Sequence, residues 1–217
     1  RPAECAITTE CTADPFMKHI QSYLTWIWIK NNQVPAFPAI YSGYVSYFGR
    51  NYSYMPEDDD EGQRIMAAQS LSFSEQMGWI DPKLYMKMKH RDFYKKCVRV
   101  RQELGSFFYD GRLLRSPKVT DDVPPLRTDR VMHEAYGGVV EHPACFCELW
   151  QHIRGDADRM LLMINASEQE AHWQMECALP DGTYGLFGDA AGSLTVREGR
   201  ASLTLPPLSV SYTILKA

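Results

Sequence analysis

No stretch of this 217-residue chain stays apolar for anything near the ~20 residues that a membrane-spanning helix requires. No block of lysines and arginines is available to neutralise a phosphate backbone, and the net charge is −4. Neither a membrane nor a nucleic acid is therefore expected as a partner. The GxSxG, P-loop and GxGxxG patterns are all missing, which removes the local signatures of a serine-nucleophile elbow, a phosphate cradle and a dinucleotide fold. No cofactor is expected. The chain starts on Arg1, not Met, and its first ten residues lack the apolar core of a signal peptide. It reads as part of a longer polypeptide whose amino-terminal portion lies upstream.

The six cysteines (Cys5, Cys11, Cys97, Cys145, Cys147 and Cys177) contain no CxxC pair and no zinc-knuckle spacing. His142, Cys145, Cys147 and His152 are conceivable zinc ligands, but structural zinc sites show tighter ligand pairs, so no metal is expected. Cys145 and Cys147 stand two apart in a strand and so face one side of a sheet. Buried free thiols are the simpler reading, and they suit a reducing compartment better than an oxidising one. With 45% apolar and 23% charged residues the composition is that of a globular chain, long enough for one large domain or two modest ones.

The first half alternates. Residues 4–9 read as a short strand with β-branched Ile7, Thr8 and Thr9, ending on Glu10. Asp14-Pro15 opens a helix predicted to run to Ile29, with Phe16, Ile20, Tyr23, Leu24 and Ile27 as its apolar stripe. Residues 34–41 read as a second short strand. The loop after it interleaves Tyr41, Tyr44, Tyr47, Phe48, Tyr52 and Tyr54 with Gly43, Gly49, Arg50 and Asn51. Aromatic faces stack on sugar rings, and Arg and Asn bond hydroxyls. The alternative is a tyrosine-rich packing loop. The acids of 57–61 lead into a helix over 63–68, where they complement its N-terminus. Residues 69–73 read as a third buried strand, followed by a polar turn with Glu75 and, beyond it, Trp79. Asp81-Pro82 then opens a long helix with Phe93, Cys97, Val100, Leu104 and Phe108 on one face.

Glu10 and Glu75 each follow the carboxyl end of an expected strand and precede a helix, where parallel α/β sheets and barrels keep their chemistry. Asp14 is better explained as a helix cap. Trp79 is expected to desolvate Glu75 and favour its acid form. After Leu104 the periodicity changes. Residues 144–153, 160–165, 170–177, 193–197, 201–205 and 208–215 read as strands separated by turn signals, the pattern of an antiparallel sandwich.

The order of short motifs, with TTE before a helix, YxGY, SFSEQMGW, RQELGSFFYDGRLL, LLMINASE and PPLSVSYTIL, resembles the carboxyl-terminal part of glycoside-hydrolase-like (β/α)8-barrel proteins with an appended β-sandwich. The resemblance covers essentially the whole chain, and its closest look-alikes are bacterial families without an assigned reaction. It implies an α/β plus all-β protein. Residues 1–116 would be the last three strand–helix units of a TIM-type barrel, and 119–217 a sandwich with no reaction of its own. It further implies a glycoside hydrolase acting on a carbohydrate through carboxylates at strand ends, here Glu10 and Glu75. Tyr41, Tyr44, Tyr47, Arg50, Asn51 and Trp79 would contact substrate. The 217 residues alone would be inactive without the rest of the barrel. The competing reading is a non-catalytic carbohydrate-binding or structural module that uses the Tyr-rich loop.

Overall fold

A computed structural model describes residues 6–10, 14–24, 35–48, 56–128, 139–154 and 157–216. Three short strands, β1 (Thr8–Glu10), β2 (Ser22–Leu24) and β3 (Ser46–Phe48), pair in parallel in that order. Thr8, Ser22 and Ser46 lie in register at one end, and Glu10, Leu24 and Phe48 at the other. The three carboxyl ends therefore form one edge.

The elements between and after these strands differ from the sequence reading in four places. The helix expected over 15–29 is a 3-10 segment, Asp14–His19, followed directly by β2; residues 25–34 lie outside the described set. The apolar spacing is shared between the two elements: Met17 and Ile20 enter a small core with Val45, while Leu24 is buried from the strand. The second expected strand is instead helix α1 (Ala36–Tyr41). Its Pro38 occupies the first turn, where a backbone N–H has no helical partner to lose. The third expected strand, 69–73, is the last part of α2 (Asp60–Ser72) and its cap, with Asp59 accepting from Gly62 N–H at 3.0 Å. Every residue from Gly62 to Ser72 is buried. A helix enclosed on all sides has no polar stripe, so its apolar run is indistinguishable from a buried strand.

The long helix expected after Asp81 is broken into α3 (Pro82–Lys87), α4 (Arg91–Glu103) and α5 (Gly105–Tyr109). Asp81 caps α3 through Lys83 N–H at 2.7 Å, as Asp-Pro implies. No helix follows Tyr109 among the described residues. The strands are β4 (Gly111–Leu113), β5 (Lys118–Thr120), β6 (Leu126–Thr128), β7 (Val140–His142), β8 (Cys145–His152), β9 (Arg159–Asn165) and β10 (Ala171–Glu176). They continue with β11 (Gly182–Gly185), β12 (Phe187–Gly188), β13 (Ser193–Val196), β14 (Arg200–Leu205) and β15 (Ser209–Leu215).

A five-stranded antiparallel sheet, in the order β12-β15-β9-β8-β4, is the middle layer. On one face Phe146, Trp150, Met160, Leu162, Ile164 and Val210 join Ile65, Leu71, Phe93, Cys97, Leu104 and Phe108 of the helical part in one apolar cluster. On the other, Cys147, Leu149, Leu161 and Met163 pack on Trp173, Met175, Leu194 and Leu205. These come from β10, β13 and β14, with β14-β10-β5 forming a second sheet. Covered on both faces, β9 is apolar almost throughout, RMLLMIN, as a doubly buried strand must be.

Candidate functional site

The edge formed by the carboxyl ends of β1–β3 carries Glu10, which is exposed, and Phe48. They are two strands apart, about 10 Å between backbones. Phe48 is covered by the loop joining α2 to α3. That loop is fixed from three sides. Gln76 N–H donates to the Tyr47 carbonyl of β3 at 2.8 Å, and the buried Tyr47 hydroxyl donates to the Phe73 carbonyl. Arg101 of α4, itself buried, donates to the carbonyls of Glu75 at 2.7 Å and Ser74 at 3.2 Å. The Ser74 hydroxyl donates to the Phe108 carbonyl at 3.1 Å.

Held this way, the loop accepts left-handed backbone at Ser74 (φ 63°) and at Trp79 (φ 57°), a costly conformation for a bulky residue. The Trp79 ring is 42% exposed and meets Phe48 nearly edge-on, with centroids 6.3 Å apart. Phe48, Gln76, Met77, Gly78 and Trp79 line a cleft of 310 Å³. Three of its five residues are apolar or aromatic, a lining suited to the apolar face of a sugar ring.

The other sequence-predicted residues do not gather there. Glu75 is 1% exposed, and its Oε2 accepts from the Ser70 hydroxyl of α2 at 3.3 Å, so its carboxylate is enclosed against that helix. Tyr47 is 1% exposed and packs against Phe37, so it offers no face to a ligand. Tyr41 also packs against Phe37, with ring centroids 4.9 Å apart. Tyr44 precedes β3 and thus sits at the amino end of the parallel strands, opposite the edge bearing Glu10. It is 69% exposed and lines a separate cleft of 520 Å³ with Ile40, Arg112, Gln151 and His152. Arg50 and Asn51 lie outside the described residues. Phe48 stands among the aromatics of the expected loop and not at a strand end, because β3 falls inside that loop, and Gln76 and Met77 join it through the α2–α3 loop, which no local pattern places beside β3. An aromatic closing a strand, followed by Gly49, was the available signal.

The conceivable zinc set does not converge. Cys145 and His152 bound β8, about 23 Å apart at strand rise. His142 bonds the Gln69 side chain at 2.7 Å, and His152 stacks on Phe107. Cys145 accepts from Trp173 Nε1 at 3.1 Å, and burial pushes its thiol up to about 12; burial also raises the Cys147 thiol well above its ordinary value. Cys97, Cys145, Cys147 and Cys177 are free thiols; Cys5 and Cys11 lie outside the described residues. Away from the cleft, Glu148 of β8 is half-buried beside the Ser116 hydroxyl, which donates to it. Desolvation raises its carboxyl to about 7.

No family model matches the chain. Over 141 residues it is 30% identical to a protein of Bacteroides thetaiotaomicron that is named provisionally as a glycoside hydrolase. That match takes in 63% of this chain and 19% of the relative, so the chain spans about a fifth of the curated protein it resembles. Among solved structures, an alpha-amylase from Geobacillus thermoleovorans superimposes with a TM-score of 0.50 at 12% identity, over 96% of this chain and 53% of that one. A GH30 endoxylanase from Clostridium papyrosolvens gives 0.40 at 11% identity, over 94% and 51%. The likeness to the amylase is one of fold.

Proposed function

We propose that this chain is part of a carbohydrate-active glycoside hydrolase. In this reading residues 1–116 are the last three strand–helix units of a TIM-type (β/α)8 barrel and residues 119–217 an appended antiparallel sandwich. One observation carries it: an exposed carboxylate, Glu10, ends a parallel strand whose neighbours end in register with it, with an aromatic cleft at the far strand. Parallel sheets with intervening helices hold their reacting groups at that edge. The name of the Bacteroides relative supports the same class.

Cleavage of a glycosidic bond needs two carboxyl groups, roughly 5–5.5 Å apart for retention and roughly 6.5–9.5 Å for inversion. Glu10 supplies one. Glu75, enclosed against α2, serves as the wall that holds the loop, and the second carboxyl comes from a part of the longer protein that this chain does not span. Trp79 and Phe48 receive the apolar face of a sugar ring.

The test uses the full-length polypeptide and a panel of aryl glycosides. Glu10→Gln keeps the shape and removes the titratable proton. Turnover should drop by about 10²-fold or more with the melting temperature unchanged. Full activity in that variant removes Glu10 from the mechanism. The exposed Tyr44 and its 520 Å³ cleft favour a second reading, a non-catalytic carbohydrate-binding surface. It would be adopted if the polypeptide bound oligosaccharides, hydrolysed none, and lost binding on Tyr44→Ala.

A further inference from the structure

Asp60, His90 and Glu168 arrive from three separate elements: the first residue of α2, the N-cap of α4 and the turn between β9 and β10. One ligand atom from each lies within 4.8 Å of the others. His90 Nε2 is 3.0 Å from Glu168 Oε1 and 3.5 Å from Asp60 Oδ1. A tetrahedral zinc ion with bonds of about 2.1 Å holds its donors about 3.4 Å apart, so two of the three separations already suit the ion.

Charge at a helix N-terminus accounts for Asp60 being acidic. It does not account for Asp60 Oδ1, which is sealed from solvent yet takes part in no hydrogen bond. The other oxygen, Oδ2, is the one engaged by Arg64, at 3.0 Å. An enclosed carboxylate oxygen left unbonded is unfavourable by itself, and a cation between it and His90 removes the penalty. A cation is already drawn to the site: the Lys89 ammonium lies 2.8 Å from Glu168 Oε1, raising the lysine and lowering the carboxyl from their ordinary values. Lys89 is largely exposed, and its flexible stem lets it swing away.

We infer that Asp60 Oδ1, His90 Nε2 and Glu168 Oε1 form a divalent-cation site that fastens α2 and α4 to the β9–β10 turn, with Lys89 as its displaceable occupant. One imidazole with two carboxylates favours zinc over magnesium or calcium, which prefer all-oxygen shells. Water completes the tetrahedron. The inference does not depend on the hydrolase reading.

Thermal melts in Zn²⁺, against a chelated control, test it. At about 100-fold over the dissociation constant the midpoint should rise by roughly 5–10 °C, while Mg²⁺ leaves it in place. Co²⁺ in place of zinc should give the intense visible absorption of a tetrahedral ion. His90→Ala and Glu168→Gln should each weaken zinc at least about tenfold, and Lys89→Ala should tighten it. Glu168 lies in an exposed turn, so its variant decides the matter if His90→Ala does not fold. No zinc-induced rise, an equal rise with Mg²⁺, or an undiminished rise in Glu168→Gln overturns the site.

Discussion

Replacing Glu148 with glutamine isolates a single titration inside the central sheet. Desolvation lifts this carboxyl from 4.5 to about 7, while the Ser116 hydroxyl works in the opposite direction. Between those two values the folded chain keeps a proton that the unfolded chain has released. Stability contributed by this group is therefore complete below pH ~4.5, falls as pH rises through the window, and is gone above pH ~7. Raising this carboxyl from 4.5 to about 7 corresponds to about 3 kcal/mol at most. Glutamine preserves the side-chain shape and can accept from Ser116, but never has to ionise. The two proteins should therefore melt alike near pH 4.5, and by pH 8 the variant should melt higher by roughly 6–12 °C, given about 2–4 °C per kcal/mol at this size. Differential scanning calorimetry at half-unit steps from pH 4.5 to 8 follows the gap directly. Other titrating groups are common to both proteins and cancel. A gap that is flat across this range, or that widens toward acid, would refute the reasoning.

Arg101→Met should free the loop over Phe48 by removing donors to the Ser74 and Glu75 carbonyls and to the Tyr109 hydroxyl. Leaving those carbonyls unpaired should cost about 2–4 kcal/mol in denaturant unfolding, and amide exchange at Gln76 should accelerate more than at β9. Trp79→Ala should abolish quenching of tryptophan fluorescence by neutral oligosaccharides in the full-length polypeptide. It should also leave the melting temperature nearly level, because the side chain is half exposed and alanine keeps the Cβ that strains this backbone; undiminished quenching would remove the ring from the proposed contact.

The longer strands of the second half were readable because each is an apolar or alternating run between turn residues, from CFCELWQH to SVSYTIL, whereas the short Gly-containing β11 and β12 fall on or beside expected turns and were not. The helical part was harder. Pro35 and Pro38 made a helix resemble a strand entrance, and the all-round burial of α2 erased the periodicity that marks a helix. The strand-end position of Glu10 was legible because the β-branched run before it is a local signal. Phe48 was not, since it becomes a site residue only once β3 is placed at Ser46–Phe48. The bracing by Arg101, and the meeting of Asp60, His90 and Glu168, depend on backbone brought together from distant positions, which no local pattern encodes.

The apolar cluster that unites α2, α4 and α5 with one face of the five-stranded sheet means that the helices and the sheet cannot be exchanged as separate parts. Arg64 reaches the Ala166 carbonyl at 2.5 Å, and Lys96 reaches both the Leu208 carbonyl at 3.0 Å and Asp189 at 3.2 Å, riveting the same seam with polar bonds. A chain shortened at residue 117 would leave Ile65, Leu71, Phe93 and Cys97 wetted on their inner side. The sheet thus behaves as a keel. It sets the pitch of α4, α4 carries Arg101, and Arg101 sets the height of the loop above Phe48, so drift in a β-layer remote from Glu10 is transmitted to the mouth of the cleft.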